Sequence, residues 1–183
     1  THWLPAVISA FQRDYPQIHI KLMEGIWQEV SKWLDDRAAD IGFFSYQEGM
    51  PYEFIPLAED PMLAVLPRDH PMANAECYPL ENCKYDRFIM PALGCDDDIE
   101  ALFTQNGIEP NVQFTTLESF SVMSMVEQGL GMSIMNQLIT EKRICDIAML
   151  PLDPPSYCTL GVAMNSKADV SPAVKMFLKY AVR

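Results

Sequence analysis

The chain has 183 residues, a size that suits one domain or two small lobes, and about half of them (49%) are apolar, enough for a core. Its formal charge is −12, and its 13 lysines and arginines nowhere cluster beyond Glu141-Lys142-Arg143, so it lacks the concentrated positive surface that a polyanion requires. No apolar run approaches the ~20 residues of a membrane span, and Gln12, Arg13 and Asp14 interrupt the first apolar stretch before a signal-peptide core can form.

Leu4, Val7, Ile8 and Phe11 recur at helical spacing, with Pro5 suited to the first turn, and predict a helix that Tyr15-Pro16 ends. Ile18, Ile20 and Leu22 alternate, which predicts a strand closed by Gly25. Trp27, Val30, Trp33 and Leu34 then place an apolar face on a second helix. Residues 40–44 read as a short buried strand and residues 52–58 as another. Alternating helices and strands imply a parallel sheet with helices on both faces. Such a sheet ordinarily begins with a strand, so a strand and its following loop are expected upstream of Thr1.

Residues 61–67 form a proline-bounded strand, followed by the turn Arg68-Asp69-His70-Pro71. A fresh α/β pattern starts there. Residues 86–90 predict a strand, and residues 97–104 a helix with Ile99, Leu102 and Phe103 facing inward. Val112, Phe114 and Thr116 alternate as a strand, and residues 118–128 predict a helix with Phe120, Met123 and Val126 on one face. Gly129-Leu130-Gly131 turns into a strand at 132–135, and Asn136 is expected to cap a short helix at 137–142. Residues 147–150 and 159–164 complete the strands. The last helix has Ser171 as its cap, Pro172 at its first position, and Val174, Phe177, Leu178 and Ala181 as its apolar face.

This pattern divides into two α/β lobes, 1–62 with 165–183 and 63–164, the second inserted into the first. Two chain crossings join them, near residues 61–63 and 163–165, and no Gly/Ser-rich linker intervenes. Two tight crossings predict a hinge with a cleft between the lobes. The five cysteines (Cys77, Cys83, Cys95, Cys145, Cys158) are odd in number and contain no C-x-x-C pair, which points to free thiols of a reducing compartment. The 12 methionines read as adaptable core filler.

Five stretches, in order and spanning nearly the whole chain, carry a resemblance. They are Leu4-Pro5 through Phe11 and Tyr15-Pro16 to Glu24-Gly25; Trp33-Leu34 followed by Ala39-Asp40-Ile41-Gly42-Phe43; Leu66-Pro67-Arg68-Asp69-His70-Pro71; the run from Val126-Glu127-Gln128-Gly129 to Met135; and Ser171-Pro172-Ala173 with Phe177-Leu178. Together they resemble the effector-binding domain of LysR-type transcriptional regulators. The resemblance implies an α/β fold of the type 2 periplasmic-binding-protein kind, two Rossmann-like lobes with a ligand cleft between them. It also implies a cytoplasmic sensor of a small-molecule effector, with no cofactor and no enzymatic role. It implies a homodimer or tetramer in which the helix at 4–11 lies antiparallel to the partner's helix at 118–128. DNA would be touched only by a winged helix-turn-helix domain absent from these residues, and membranes not at all. An extracytoplasmic solute-binding protein of a transporter is the alternative. Catalysis finds no G-x-S-x-G, H-E-x-x-H or phosphate loop to support it.

In open α/β sheets, ligands sit beyond the carboxyl ends of strands, where helix N-termini present unpaired N–H groups. By the resemblance, Thr1 and His2 are the tail of an effector-holding loop. At Ile26, Trp27 and Gln28 the family often carries Ser or Thr where this chain has Trp27. That indole can stack on a planar or cationic ligand, or pack against Val30 and a neighbouring helix. Cys95, Asp96 and Asp97 open a helix with Asp98; the carboxylates can cap it, or form a site that repels a dicarboxylate and suits a cationic or polar effector. Their spacing does not support a metal loop. Glu118 or Ser119, between a strand and a helix, faces the cleft, while capping alone explains Thr116 beside them equally well. His70 is read as structural.

Overall fold

The computed structural model describes residues 3–91, 96–116, 118–141 and 145–182, with the backbone alone for Asp96 and Asp97. The elements run in the order α1 (Leu4–Asp14), α2 (Trp27–Asp35), β1 (Gly42–Ser45), β2 (Glu53–Pro67), β3 (Tyr78–Pro79), a 3₁₀ turn (Leu80–Lys84), β4 (Phe88–Pro91), α3 (Asp96–Asn106), β5 (Val112–Thr116), α4 (Ser119–Glu127), β6 (Ser133–Asn136), α5 (Gln137–Thr140), β7 (Ile147–Asp153), β8 (Tyr157–Met164) and α6 (Pro172–Ala181). The chain divides into two compact units, Thr1–Glu59 with Thr159–Arg183, and Asp60–Cys158. The boundaries expected from sequence lie a few residues further along both strands, β2 and β8, that run from one unit into the other.

In the first unit, β1 pairs antiparallel with β8, from Gly42↔Ala163 to Ser45↔Leu160. The α1 helix starts with Pro5 in its first turn, where a missing N–H costs nothing. Its apolar stripe meets that of α6 in a cluster of Leu4, Phe11, Phe177 and Ala181. Phe11 lies at the centre, its ring 5.0–5.4 Å from those of Tyr15, Phe177 and Tyr180. Ser171 caps α6 by accepting a hydrogen bond from Val174 N, as its sequence predicts.

Residues 18–22 are not a strand. Ile18 and Ile20 pack against the α1–α6 cluster, but no ladder partner lies alongside them among the described residues. Alternation satisfies a face, whereas a strand also requires a hydrogen-bonded neighbour. The predicted strands at 52–58 and 61–67 are one strand, β2. Pro61, which has no N–H to give, falls just before the first pair of the second ladder, Met62↔Asn136, so the strand continues while its neighbours change.

In the second unit, β2 lies between β6 and β7, antiparallel to both. β7 carries β3 in parallel, and β4 pairs in parallel with β5. Met132 joins β4 to the start of β6 through Met132 N–H to Arg87 O and Ile89 N–H to Met132 O, both 2.8 Å. The sheet is mixed rather than parallel. β2 enters from the other unit and is not bound by the strand–helix–strand crossover that enforces parallel order. Period-two alternation then builds a core on each face. Ala64, Leu66, Phe88 and Ile134 face Ile99, Leu102 and Phe103 of α3, whereas Val65, Ile89 and Met135 face Val122, Met123 and Val126 of α4. Phe120, expected on that buried face, is 53% exposed, and Val122 takes the inward place.

Candidate functional site

Of the residues singled out from sequence, Ile26, Trp27 and Gln28 fall in the first unit, and Glu118 and Ser119 in the second. Thr1, His2 and Cys95 lie outside the described residues, as do the side chains of Asp96 and Asp97, which stand at the start of α3.

Ile26 is the N-cap of α2 in extended conformation, and Trp27 and Gln28 are its first two residues. The Ile26 N–H is already satisfied: Glu29 reaches back and accepts from it at 3.0 Å. This places a carboxylate at the positive end of the helix, the position an anionic ligand would otherwise take. Gly25 makes this geometry possible, since a Cβ there would lie 2.7 Å from both Glu29 Oε2 and the Trp33 ring.

Trp27 lies edge-on to Phe44 at 4.7 Å and to Tyr52 at 6.1 Å, between ring centroids. Its neighbours are therefore residues of β1 and the start of β2, not another helix. With Leu34, Ala163 and Phe54 these rings form one cluster. The Trp27 indole N–H has no partner among the described residues. The side chain thus offers a half-buried apolar face and one open donor.

Tyr52 supports this cluster from beneath. Its hydroxyl donates to Asp35 Oδ1 at 2.8 Å, with the Ser31 carbonyl oxygen at 3.0 Å. Burial, and then the Asp35 carboxylate, push the phenol up from 10.0 to about 12. A raised folded pKa means that the stability Tyr52 contributes is complete below pH 10 and is lost as pH rises through about 12. Tyr52→Phe is expected to cost about 1–2 kcal/mol near neutrality. The gap between variant and wild type should close across that alkaline window, as denaturation midpoints followed with pH will show. A gap that stays constant would rule out the hydroxyl as its source.

The start of α4 has Glu118 as N-cap, exposed and making no side-chain cap bond, with Ser119 half-buried as the first helical residue. Sequence reading missed a different acidic group. Asp60, 2% exposed inside β2, accepts from Leu138 N at 3.1 Å and so caps α5. Asn136, the expected cap, makes no such bond and donates to Cys158 Sγ. Burial raises the Asp60 carboxyl above the usual range, and the Leu138 N–H opposes that rise. The only sequence signal was the acidic pair Glu59-Asp60 before Pro61, between two apolar stretches read as separate strands.

Among the described residues, no group of three or more His, Cys, Asp or Glu side chains gathers to hold a metal, and no helix is long and apolar enough to cross a membrane.

The family model described as "LysR substrate binding domain" matches residues 1–183. The chain is 30% identical over 183 residues to the uncharacterized HTH-type transcriptional regulator YvbU of Bacillus subtilis, covering 98% of this chain and 62% of that protein. It is 27% identical over 179 residues to a second regulator of the same organism, YoaU, covering 98% and 61%. The chain therefore spans less than two thirds of these relatives' length. Among solved structures, it is similar to the effector-binding domain of QuiR in complex with shikimate (TM-score 0.85, 23% identity, 100% of this chain and 90% of that one). It is also similar to the Synechocystis CcmR regulatory domain in complex with 2-PG (TM-score 0.87, 21% identity, 99% and 90%). At these identities the two structures establish the fold.

Proposed function

Because the chain belongs to the LysR substrate-binding domain family over its whole length, we propose that it is the effector-sensing part of a DNA-binding transcriptional regulator of the cytoplasm. The family match across residues 1–183 carries this reading. Relatives named as HTH-type regulators, each longer than this chain, favour it over a transporter's solute-binding protein. The charge of −12 fits a sensor that leaves DNA to another part of the protein. No catalytic step is assigned to it.

The α2 start, Ile26 to Gln28, is the proposed effector contact in the first unit, with Glu118 and Ser119 in the second. Glu29 already occupies the anion position of α2, and Trp27 presents an aromatic face with an open N–H. Both favour a neutral or cationic planar effector over a dicarboxylate. An effector can act only by binding one state of the regulator better than another, and about 1.4 kcal/mol of difference shifts that ratio tenfold. The proposed assembly is a homodimer with α1 of one copy antiparallel to α4 of the other; the exposed Phe120 on α4 supports an apolar contact there.

A thermal-shift screen of neutral, cationic and anionic aromatic metabolites is the test. A neutral or cationic compound is expected to raise the melting temperature in proportion to its occupancy. Trp27→Ala, melting cooperatively, is expected to lose that response. A hit whose shift persists unchanged in Trp27→Ala would move the site elsewhere, and hits confined to dicarboxylates would contradict the assigned chemistry.

A further inference from the structure

A cup of about 300 Å³ opens in the second unit, apart from the residues assigned to the effector. Its size is at the lower end of small-molecule sites, about 300–1,000 Å³. The turn after β2, the residues entering β4 and the turn between α4 and β6 form its wall, and it contains Asp69, His70, Asp86 and Arg87 beside Gly129 and Gly131.

Its shape follows from the glycines. Gly129 adopts φ +71° to end α4, accepting no side chain without strain, and nothing lies within 4 Å of where its Cβ would stand. At Gly131 a Cβ would lie 2.5 Å from Arg87 O, so glycine alone lets the β6 entry reach the Arg87 backbone. Gly129 thus leaves its side of the cup open, and Gly131 brings the Arg87 backbone against it.

The charges are arranged unequally. His70 Nδ1 accepts from Met72 N at 3.1 Å, so its Nε2 bears the proton and faces Asp86 Oδ2 at 3.3 Å. The buried Tyr78 hydroxyl donates to the same oxygen at 2.6 Å. Asp86 is thus fixed through one oxygen, and its carboxylate is still 32% exposed. Asp69 and Arg87 are exposed and form no ion pair or side-chain hydrogen bond among the described residues. A simple anion would face two carboxylates here, and a simple cation would face Arg87. A molecule carrying both signs meets both demands.

We propose that this cup is a second small-molecule site, which takes a free α-amino acid with its ammonium toward Asp86 and Asp69 and its carboxylate on Arg87. The proposal does not depend on the effector reading, since it uses none of the residues assigned to the effector.

Calorimetric titration of the chain with the twenty free L-amino acids tests it, followed for each binder by the amine lacking its carboxylate and the acid lacking its ammonium. At least one amino acid is expected to bind one-to-one with a Kd of about 1 mM or tighter. Arg87→Gln and Asp69→Asn should each weaken it by about tenfold or more. Both residues are exposed and unpaired, so the melting temperature should not move. Trp27→Ala should bind as wild type does, which separates this site from the effector's. The proposal is overturned if no amino acid binds by about 10 mM, if binding is unchanged in Arg87→Gln and Asp69→Asn, or if the amine or the acid binds as well as the amino acid.

Discussion

Phe11→Ala is expected to destabilise the chain by about 3–5 kcal/mol, the range for truncating a buried aromatic ring. Phe11 is 1% exposed, and it is the ring through which α1 and α6 meet. Its edge-to-face contacts with Phe177 and Tyr180 (5.2 and 5.4 Å) and its tilted contact with Tyr15 (5.0 Å) all disappear together. The helices that bear them are separated by nearly the whole chain, so the void cannot close by local repacking. Tyr180→Phe is the control. It keeps the ring and removes the hydroxyl that donates to Asp14 Oδ2 at 2.6 Å on an exposed edge, so it should cost well under the Phe11 loss. Urea denaturation of both variants decides the matter; a Phe11→Ala loss no larger than that of Tyr180→Phe would mean that α1 does not depend on this cluster.

Gly161→Ala should cost about 3 kcal/mol, at the top of the usual overpacking range. Gly161 sits in β8 opposite Phe44 of β1, with β2 on its other side. A Cβ there would lie 2.5 Å from Ile55 O and would collide with the Phe54 ring. The ring can rotate away, but the carbonyl oxygen belongs to a neighbouring strand and cannot move without disturbing the sheet. Adding Phe54→Leu should therefore recover only part of the loss. Full recovery in the double variant would place the whole cost on the ring. No loss in Gly161→Ala alone would show that β2 and β8 are not as close as described. Gly129→Ala offers a comparison, because its Cβ meets nothing and only the φ of +71° opposes it, at about 1–2 kcal/mol.

The parts of the fold that were legible share a short range. The helix spacing of Leu4, Val7, Ile8 and Phe11, Pro5 in a first turn, and the Ser171-Pro172 start of α6 each depend on residues within a turn or two, and each is present in the structure. The inward set Ile99, Leu102 and Phe103 is likewise a one-helix property and is buried as read. Residues 18–22 alternate as a strand does, yet alternation says nothing about a hydrogen-bonding neighbour. Phe120 stands one turn before Met123 and Val126, but the direction in which α4 meets its sheet selects Val122 instead.

The candidate site divides in the same way. Residue order by itself determined that Ile26, Trp27 and Gln28 would begin a helix and that the chain would carry a net charge of −12. Only the tertiary structure decided that Phe44 and Tyr52 flank Trp27 and that Asp60, 78 residues from Leu138, caps α5. It also brought His70, Asp86 and Tyr78 together around one oxygen. Caps and helix faces arise from neighbours along the chain, whose geometry the backbone dihedrals fix locally. Contacts between distant residues exist only once strand pairing and core burial have selected which segments meet, and no local pattern carries that choice.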